Sequence, residues 1–289
     1  MIAAVIAMAY GSPSRLEDIP AYFADIRGGR PVRPAAVDEL VERYRRIGGG
    51  SPLNEVTEAQ RAALERELGI PVYVGMKHWE PRIADAVGAA LAQGADTLVG
   101  LVLAPHYSRM SIGGYRERLE AAVDGNATVR FIESWHDHEA FIDVVADRVR
   151  GTDAHVVFTA HSLPARILDT GDPYRDELLE TSRLAAERAG LPSERWSFAF
   201  QSASETGEPW LGPDILEELD RLDAAGVRKV LVAPVGFVAD HLEILWDIDV
   251  EARERAAELG LELDRIPSLN DDPTFIRGLA DLVRRHLDA

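Results

Sequence analysis

Three carboxylates near the C-terminal end of the chain are spaced so that they could act together. Glu243, Asp247 and Glu251 stand four residues apart, which places them on one face of a helix. Like charges at this spacing destabilise a helix by about 0.2–0.5 kcal/mol per pair, so helix stability does not explain them. Two interpretations are open: a solvated face of an acidic protein, or a path for a metal ion. The stripe directly follows the apolar segment 230–239, and this position favours the functional interpretation.

His161 is the second candidate for chemistry. It stands just beyond the predicted strand His155–Thr159, where a histidine is either structural or catalytic. Because imidazole titrates near neutral pH, a histidine paired with a glutamate can move protons and can also bind a divalent metal. A carboxylate partner from the acidic stripe would favour the catalytic interpretation.

A cluster of arginines near the N-terminus could bind an anion. Residues 26–46 hold six arginines against three carboxylates, a local charge of +3 in a chain whose formal charge is −18. The cluster is either part of a surface helix of mixed charge or a binding site for an anionic ligand. Its members are Arg27, Arg30, Arg33, Arg43, Arg45 and Arg46.

The elements that must position these residues alternate between two periodicities. Short aliphatic runs are separated by longer stretches with helical spacing, which predicts an α/β fold with parallel sheets and helices on both faces. The six predicted strands are Ala3–Ala9, Val72–Gly75, Leu98–Leu103, His155–Thr159, Trp196–Phe200 and Lys229–Ala233.

Strand-end motifs repeat in the same order in the two halves of the chain, which predicts two similar domains, 1–150 and 151–289. Ligands of parallel sheets bind beyond the carboxyl ends of the strands, so a crevice between two such domains suits a large flat ligand. The strand-end residues to consider are Tyr10, Lys77, His78, His106, His161, Gln201 and the segment after Pro234.

Composition excludes several classes of function. The 289 residues include 49 acidic and 31 basic side chains, a balance that disfavours binding to nucleic acid or to an anionic membrane surface. The absence of cysteine excludes disulfides and thiolate-bound iron–sulfur clusters. The charge-free runs Met1–Ser14 and Thr97–Ser108 are too short to cross a membrane, and the N-terminus lacks the basic start of a signal peptide. We therefore expect a cytoplasmic protein without a transmembrane segment.

Eight motifs in order resemble the ferrochelatase family over almost the whole chain. They are Ala-Tyr-Gly-Ser-Pro (9–13), Gly-Gly-Gly-Ser-Pro-Leu (48–53), Gly-Met-Lys-His-Trp-Glu-Pro (75–81), Leu-Ala-Pro-His-Tyr-Ser (103–108), Thr-Ala-His-Ser-Leu-Pro (159–164), Gly-Asp-Pro-Tyr (171–174), the segment from Gln-Ser to Pro-Trp-Leu-Gly-Pro (201–213) and Pro-Val-Gly-Phe-Val-Ala-Asp-His-Leu-Glu (234–243). The resemblance implies two Rossmann-like domains, as in class II chelatases, with a porphyrin cleft between them.

The resemblance also assigns roles to residues of the site. It implies that His161 and Glu243 form the catalytic Fe(II) site and that Asp247 and Glu251 form an acidic relay behind it. Two protons leave the porphyrin as one metal ion enters. Fe(II) is then a substrate, and we expect the enzyme, a lyase of heme biosynthesis, to require no cofactor.

The opening motif Ala-Tyr-Gly-Ser-Pro matches the branch of the family that uses coproporphyrin III. That match implies that Tyr10 lies over the macrocycle and can be an axial ligand of the inserted iron. The implied contacts to the tetrapyrrole and its propionates are Arg27, Arg43, Tyr44, Ser51 and Tyr115. Relatives often have a second arginine where this chain has Gly28, which places the propionate contacts near Arg27 in question.

The expected activity is therefore insertion of Fe(II) into coproporphyrin III to give coproheme. The alternatives are a chelatase that uses protoporphyrin IX or another tetrapyrrole and metal, such as cobalt and sirohydrochlorin, and a non-catalytic porphyrin or heme carrier. The expected partners are coproporphyrin III, coproheme and, transiently, the next enzyme of heme biosynthesis. We expect a monomer.

Overall fold

Two four-stranded parallel sheets organise the molecule, which a computed structural model describes over residues 2–203 and 207–288. The strands are β1 (Ala3–Ala9), β2 (Val72–Met76), β3 (Thr97–Val102), β4 (Thr128–Ile132), β5 (His155–His161), β6 (Trp196–Gln201), β7 (Lys229–Ala233) and β8 (Glu262–Arg265). Their order is β2-β1-β3-β4 in the first sheet and β6-β5-β7-β8 in the second. The same topology therefore occurs in both halves, and the predicted pair of α/β units is confirmed.

Helices flank both sheets. They are α1 (Ile19–Ile26), α2 (Pro34–Arg46), α3 (Leu53–Leu68), α4 (Ile83–Ala92), α5 (Gly114–Val123), α6 (Glu139–Val149), α7 (Tyr174–Ala189), α8 (Ile215–Ala224), α9 (Arg253–Leu259) and α10 (Pro273–Asp288). Two π-helical segments, Arg109–Gly113 and Ile244–Ala252, precede α5 and α9. Among the helices in the described ranges, none has both the length and the apolarity needed to cross a membrane.

The six predicted strands all form, but the prediction missed β4 and β8. Both are short strands at the edge of a sheet, and their residues are mostly half-buried or exposed. Such strands lack the continuous apolar run that marks a central parallel strand. The predicted boundary at residue 150 stays a prediction, and α10, at the end of the chain, packs against α3, α6 and the first sheet.

One hydrophobic core connects the two sheets. Its buried members include Leu101 of the first sheet, Phe158 of the second, Val145 of α6 and Phe275 of α10. Because close-packed cores resist relative displacement, this shared core fixes the carboxyl ends of both sheets with respect to each other. A site made from both sheets is thereby held in one geometry.

Two carboxylates at the start of α7, Asp172 and Glu177, are hydrogen-bonded to the loop after β3. One oxygen of Asp172 accepts hydrogen bonds from the Ser108 hydroxyl at 3.0 Å and from the Arg109 backbone N–H at 2.9 Å. Glu177 accepts a hydrogen bond from the Tyr107 backbone N–H at 2.6 Å. These charge-assisted bonds join segments about 64–70 residues apart in the chain.

His106, in the same loop after β3, is buried and contacts α7. Its Nε2 lies 2.9 Å from the Thr181 hydroxyl, which donates its proton to the His136 carbonyl. Since that proton is committed, Nε2 must carry the hydrogen and donate it to Thr181. Burial, and secondarily the nearby His136, holds the pKa of His106 well below its usual range, so the ring stays neutral.

Gly236 allows the chain after β7 to pass close to β5. Its backbone N–H donates to the Thr159 carbonyl at 3.0 Å, and an added Cβ would lie only 2.4 Å from the Ala160 Cβ. We predict that Gly236→Ala lowers the free energy of unfolding by about 1–3 kcal/mol, because the clash forces a backbone shift in a packed core. Gly88→Ala is the control: it meets no atom within 4 Å on α4 and should stabilise the protein by about 0.5–1 kcal/mol. Urea titration measures both, and equal effects would contradict the steric argument.

Neutral His106 makes stability depend on pH. Below its ordinary pKa of 6.5 the unfolded chain binds a proton at this residue and the folded protein does not. Stability therefore falls with falling pH, by at most about 1.4 kcal/mol per pH unit for one group. We predict that His106→Gln, which keeps an N–H for Thr181, flattens the dependence between about pH 5 and 6.5. Parallel stability–pH curves for the parent and the variant would refute this.

Candidate active site

The imidazole of His161 and the carboxylate of Glu243 meet at the carboxyl edge of the second sheet. The His161 Nδ1 lies 2.8 Å from the Glu243 Oε2, although the residues are 82 positions apart in the sequence. His161 ends β5, and Glu243 caps the π-helical segment Ile244–Ala252. Each side chain is about one-third exposed, so the pair is supported by protein on one side and open on the other.

Two neighbouring polar side chains hold the backbone of this pair, and a third positions one of them. The Tyr174 hydroxyl donates to the His161 carbonyl at 2.9 Å. The Gln201 amide donates to the Glu243 carbonyl at 3.0 Å, and the Gln201 carbonyl oxygen accepts from Thr159 at 2.9 Å. The strand-end position of Gln201 indicated its place in the site, whereas the sequence analysis gave Tyr174 no individual role.

The pair is charged. Burial alone would raise the pKa of Glu243, but the charge and hydrogen bond of His161 outweigh it and hold that pKa well below its usual range. Burial would lower the pKa of His161, and Glu243 reverses this effect, so the pKa of the imidazole is raised. Both shifts favour the imidazolium–carboxylate form of the pair, which faces the open side of the site.

His241 brings a second imidazole to Glu243. Its Nε2 lies 3.9 Å from the Glu243 Oε2, and its Nδ1 lies 2.9 Å from the Ala239 carbonyl. Because a carbonyl only accepts, Nδ1 must carry a proton and Nε2 is the atom turned toward the carboxylate. The sequence analysis included His241 in a motif without a role, and its position two residues before Glu243 was the available signal.

The acidic stripe continues from Glu243 on a helix, as its spacing predicted, and most of this helix is a π-helix. A π-helix hydrogen-bonds from i to i+5 and is frequent at functional sites. Asp247 is only 4% exposed and is hydrogen-bonded to Ser202. Burial, followed by the charge of Glu243, raises the pKa of Asp247 to about 7. Burial also raises the pKa of Glu251, against the opposing charge of Arg43.

A cleft of about 540 Å³ opens in front of the pair. The N-terminal half contributes four of the predicted porphyrin contacts to its lining: Tyr10, Tyr44, Ser51 and Tyr115. The strand-end residues Lys77, His78 and His106 also line it, as their positions predicted. The ring of Tyr10, at the end of β1, lies 4.6 Å from the ring of His78 between centroids.

Arg27 and Arg43 do not line this cleft. Arg27 follows α1 and is exposed. The Arg43 guanidinium lies over the Trp246 ring, 5.5 Å from its centroid, and Arg46 lies 5.3 Å from the same ring. Contacts of Arg27 and Arg43 with a tetrapyrrole therefore stay a prediction, and the Trp246 interaction was not visible in residue spacing.

The assembled groups fit proton transfer and transient metal binding. Within residues 2–203 and 207–288, no group of three or more His, Asp or Glu side chains is arranged to hold a metal ion. His161 and Glu243 nevertheless supply one nitrogen and two oxygen donors of the kinds that bind divalent iron. The same imidazole, supported by a carboxylate, can accept and release protons near neutral pH.

Comparisons with known proteins agree with the sequence motifs. The family model described as Ferrochelatase matches residues 3–287. A protein named Ferrochelatase from Deinococcus radiodurans is 45% identical over 299 residues, which cover 97% of this chain and 95% of the relative. A protein named Coproporphyrin III ferrochelatase from Geobacillus thermodenitrificans is 40% identical over 303 residues, covering 98% of this chain and 95% of the relative.

Among solved structures, SirB from Bacillus subtilis with Fe3+ aligns with a TM-score of 0.66, covering 99% of this chain and 96% of the other. Its sequence identity is 14%, so this likeness shows the fold alone. The family rests on the match over almost the whole length and on relatives above 40% identity. From the paired His161 and Glu243 in their cleft and from these matches, we conclude that the chain belongs to the ferrochelatase family.

Proposed function

We propose that this protein inserts Fe(II) into coproporphyrin III to give coproheme and two protons. Membership of the ferrochelatase family makes it an enzyme of heme synthesis that inserts a metal into a porphyrin. The observation that carries the proposed reaction is the His161–Glu243 pair in a cleft that Tyr10 also lines. We further propose that it works in the cytoplasm as a monomer and passes coproheme to the next enzyme of the pathway.

The proposed mechanism exchanges two N–H protons for one metal ion. Fe(II) first contacts the Glu243 carboxylate, and its positive charge lowers the proton affinity of His161, which loses its proton. The neutral imidazole then accepts a pyrrole proton as the metal–nitrogen bonds form. His161 passes this proton on to the acidic residues behind it, as it did its own, and then accepts the second pyrrole proton in the same way. The product is a neutral core of Fe(II) and a doubly deprotonated macrocycle.

Asp247 and Glu251 are proposed to carry the released protons away. A carboxyl group with a pKa of about 7 can both accept and release a proton at neutral pH, and Asp247 is such a group. Glu251 lies one further step along the π-helical segment and is exposed, so protons can leave to solvent there. This direction of transfer follows the stripe outward from the cleft.

The choice of coproporphyrin III rests on Tyr10 and on the relatives. The Ala-Tyr-Gly-Ser-Pro motif that ends β1 matches the coproporphyrin branch, and the relative from Geobacillus thermodenitrificans carries that name. Protoporphyrin IX is the second candidate, because the relative from Deinococcus radiodurans is named only Ferrochelatase.

Insertion of Fe(II) into the two porphyrins by the purified protein tests this choice. We expect anaerobic assays, followed by absorbance, to give a kcat/KM at least about tenfold higher for coproporphyrin III, a difference of about 1.4 kcal/mol in transition-state stabilisation. A preference for protoporphyrin IX would overturn the substrate assignment. Binding of both porphyrins without insertion would support a carrier instead.

His161→Ala should remove metal insertion and leave porphyrin binding intact. Loss of a general base lowers rates by about 10²–10⁴-fold, and the hydrogen bond that the ring makes runs to Glu243 at the same edge of the second sheet rather than to the N-terminal half of the cleft. His155→Ala is a matched control, because His155 begins the same strand and contacts only Ser197 among the bonds the structure shows. Insertion rates and porphyrin fluorescence titrations measure the two effects. Full activity in the His161 variant would eliminate the proposed mechanism.

A further inference from the structure

Two cations at the cleft are not paired with any carboxylate of residues 2–203 and 207–288. Lys77, directly after β2, donates from Nζ to the Ser111 carbonyl at 3.0 Å and lies 4.7 Å from the centre of the Tyr115 ring. Arg118, on α5, donates to the Gly114 carbonyl at 3.3 Å. Their hydrogen-bond partners are therefore uncharged, and Glu117 acts on Lys77 through its charge without an ion pair between them.

The two cationic groups lie close together beside Gly114. A Cβ added to Gly114 would lie 3.1 Å from the Lys77 Nζ and 3.7 Å from the Arg118 Nη1, so a side chain here would crowd both groups, and glycine places none against them. Burial, and then the charge of Arg118, lowers the pKa of Lys77 to about 8. Holding like charges together in a partly desolvated place is unfavourable, and a bound anion would offset that cost.

The two cations lie beside the substrate cleft. Lys77, Ser111 and Tyr115 all line the cleft together with Tyr10. Burial and then the charge of Glu243 raise the pKa of the Tyr10 hydroxyl, and the positive charge of Arg118 opposes them, which places Arg118 within electrostatic reach of Tyr10. An anionic group bound between Lys77 and Arg118 would thus belong to a molecule that occupies the cleft.

We propose that Lys77 and Arg118 form an anion subsite that binds a carboxylate of the tetrapyrrole substrate. This inference rests on the proposed function, because that function supplies a ligand with carboxylates on its periphery. The ammonium provides a point charge and the guanidinium provides a planar fork, which together suit one carboxylate group. Gly114 places no side chain against the two groups, and the Tyr115 ring lies beneath the Lys77 ammonium.

Charge-removing variants test the subsite. Lys77→Met and Arg118→Met keep most of the side-chain volume, and Lys77→Arg keeps the charge. Arg116→Met is the control, because Arg116 is on the same helix but pairs with Glu120 and Glu133. Porphyrin fluorescence titrations give Kd for coproporphyrin III and for its tetramethyl ester, which lacks the carboxylates. Thermal melting followed by circular dichroism checks that each variant is folded.

Each methionine variant at the subsite should raise the Kd for coproporphyrin III about tenfold, as loss of one charge-assisted hydrogen bond predicts. Lys77→Arg should recover most of the affinity, Arg116→Met should match the parent, and the Kd for the ester should be the same in all variants. Folded Lys77→Met and Arg118→Met proteins that bind coproporphyrin III like the parent would overturn the subsite.

The insertion assay and the Kd series distinguish failure of the proposed function from failure of the subsite. A parent protein that binds coproporphyrin III without inserting Fe(II) would contradict the reaction, while the Kd series would still decide the subsite. A parent that inserts Fe(II), with unchanged Kd in both variants, would contradict the subsite alone. A parent that does not bind coproporphyrin III would contradict both.

Discussion

The 2.8 Å contact between His161 and Glu243 depends on how closely two segments of the second sheet approach each other. β5 and β7 are neighbouring parallel strands, with Phe158 opposite Ala233, so both end at the same edge. The chain after β7 then turns back over β5, which it can do only because Gly236 has no side chain to collide with Ala160. The electrostatics of the site follow from this approach, because it brings an imidazole and a carboxylate together in a half-buried place.

That electrostatic arrangement gives the acidic stripe two different kinds of carboxylate. Glu243, beside His161, is held ionised, whereas burial and the charge of Glu243 raise the pKa of Asp247 to about 7. An ionised carboxylate attracts a cation, and a carboxyl group that titrates near neutral pH stores and passes a proton. In the proposed mechanism, the stripe therefore separates a metal-attracting position at the cleft from a proton-carrying position behind it, although all its members have the same chemical type.

Sequence reasoning found the parts of the fold and the site that leave a local signal. Buried strands have continuous apolar runs and parallel strands end at one edge, so Tyr10, His161 and the segment leading to Glu243 could be located in advance. The edge strands β4 and β8 leave no such run. A four-residue spacing fits both an α-helix and a π-helix, so the sequence predicted a helix for the stripe but not which of the two it is. The position of Arg43 depends on Trp246, about 200 residues away in the chain, and no local pattern reports such a contact.

The placement of Arg43 changes how charge is distributed around the cleft. With Arg43 and Arg46 over the Trp246 ring, the charge of Arg43 acts on the acidic stripe. In the N-terminal half, Lys77 lines the cleft and Arg118 lies close to Lys77, while Glu243 supplies negative charge from the C-terminal half. Under the proposed function, a ligand with carboxylates on its rim and metal-accepting nitrogens at its centre would be attracted by both features. Charge separation between the two halves would then orient the macrocycle before any metal arrives, and would account for the binding of an acidic porphyrin by a strongly acidic protein.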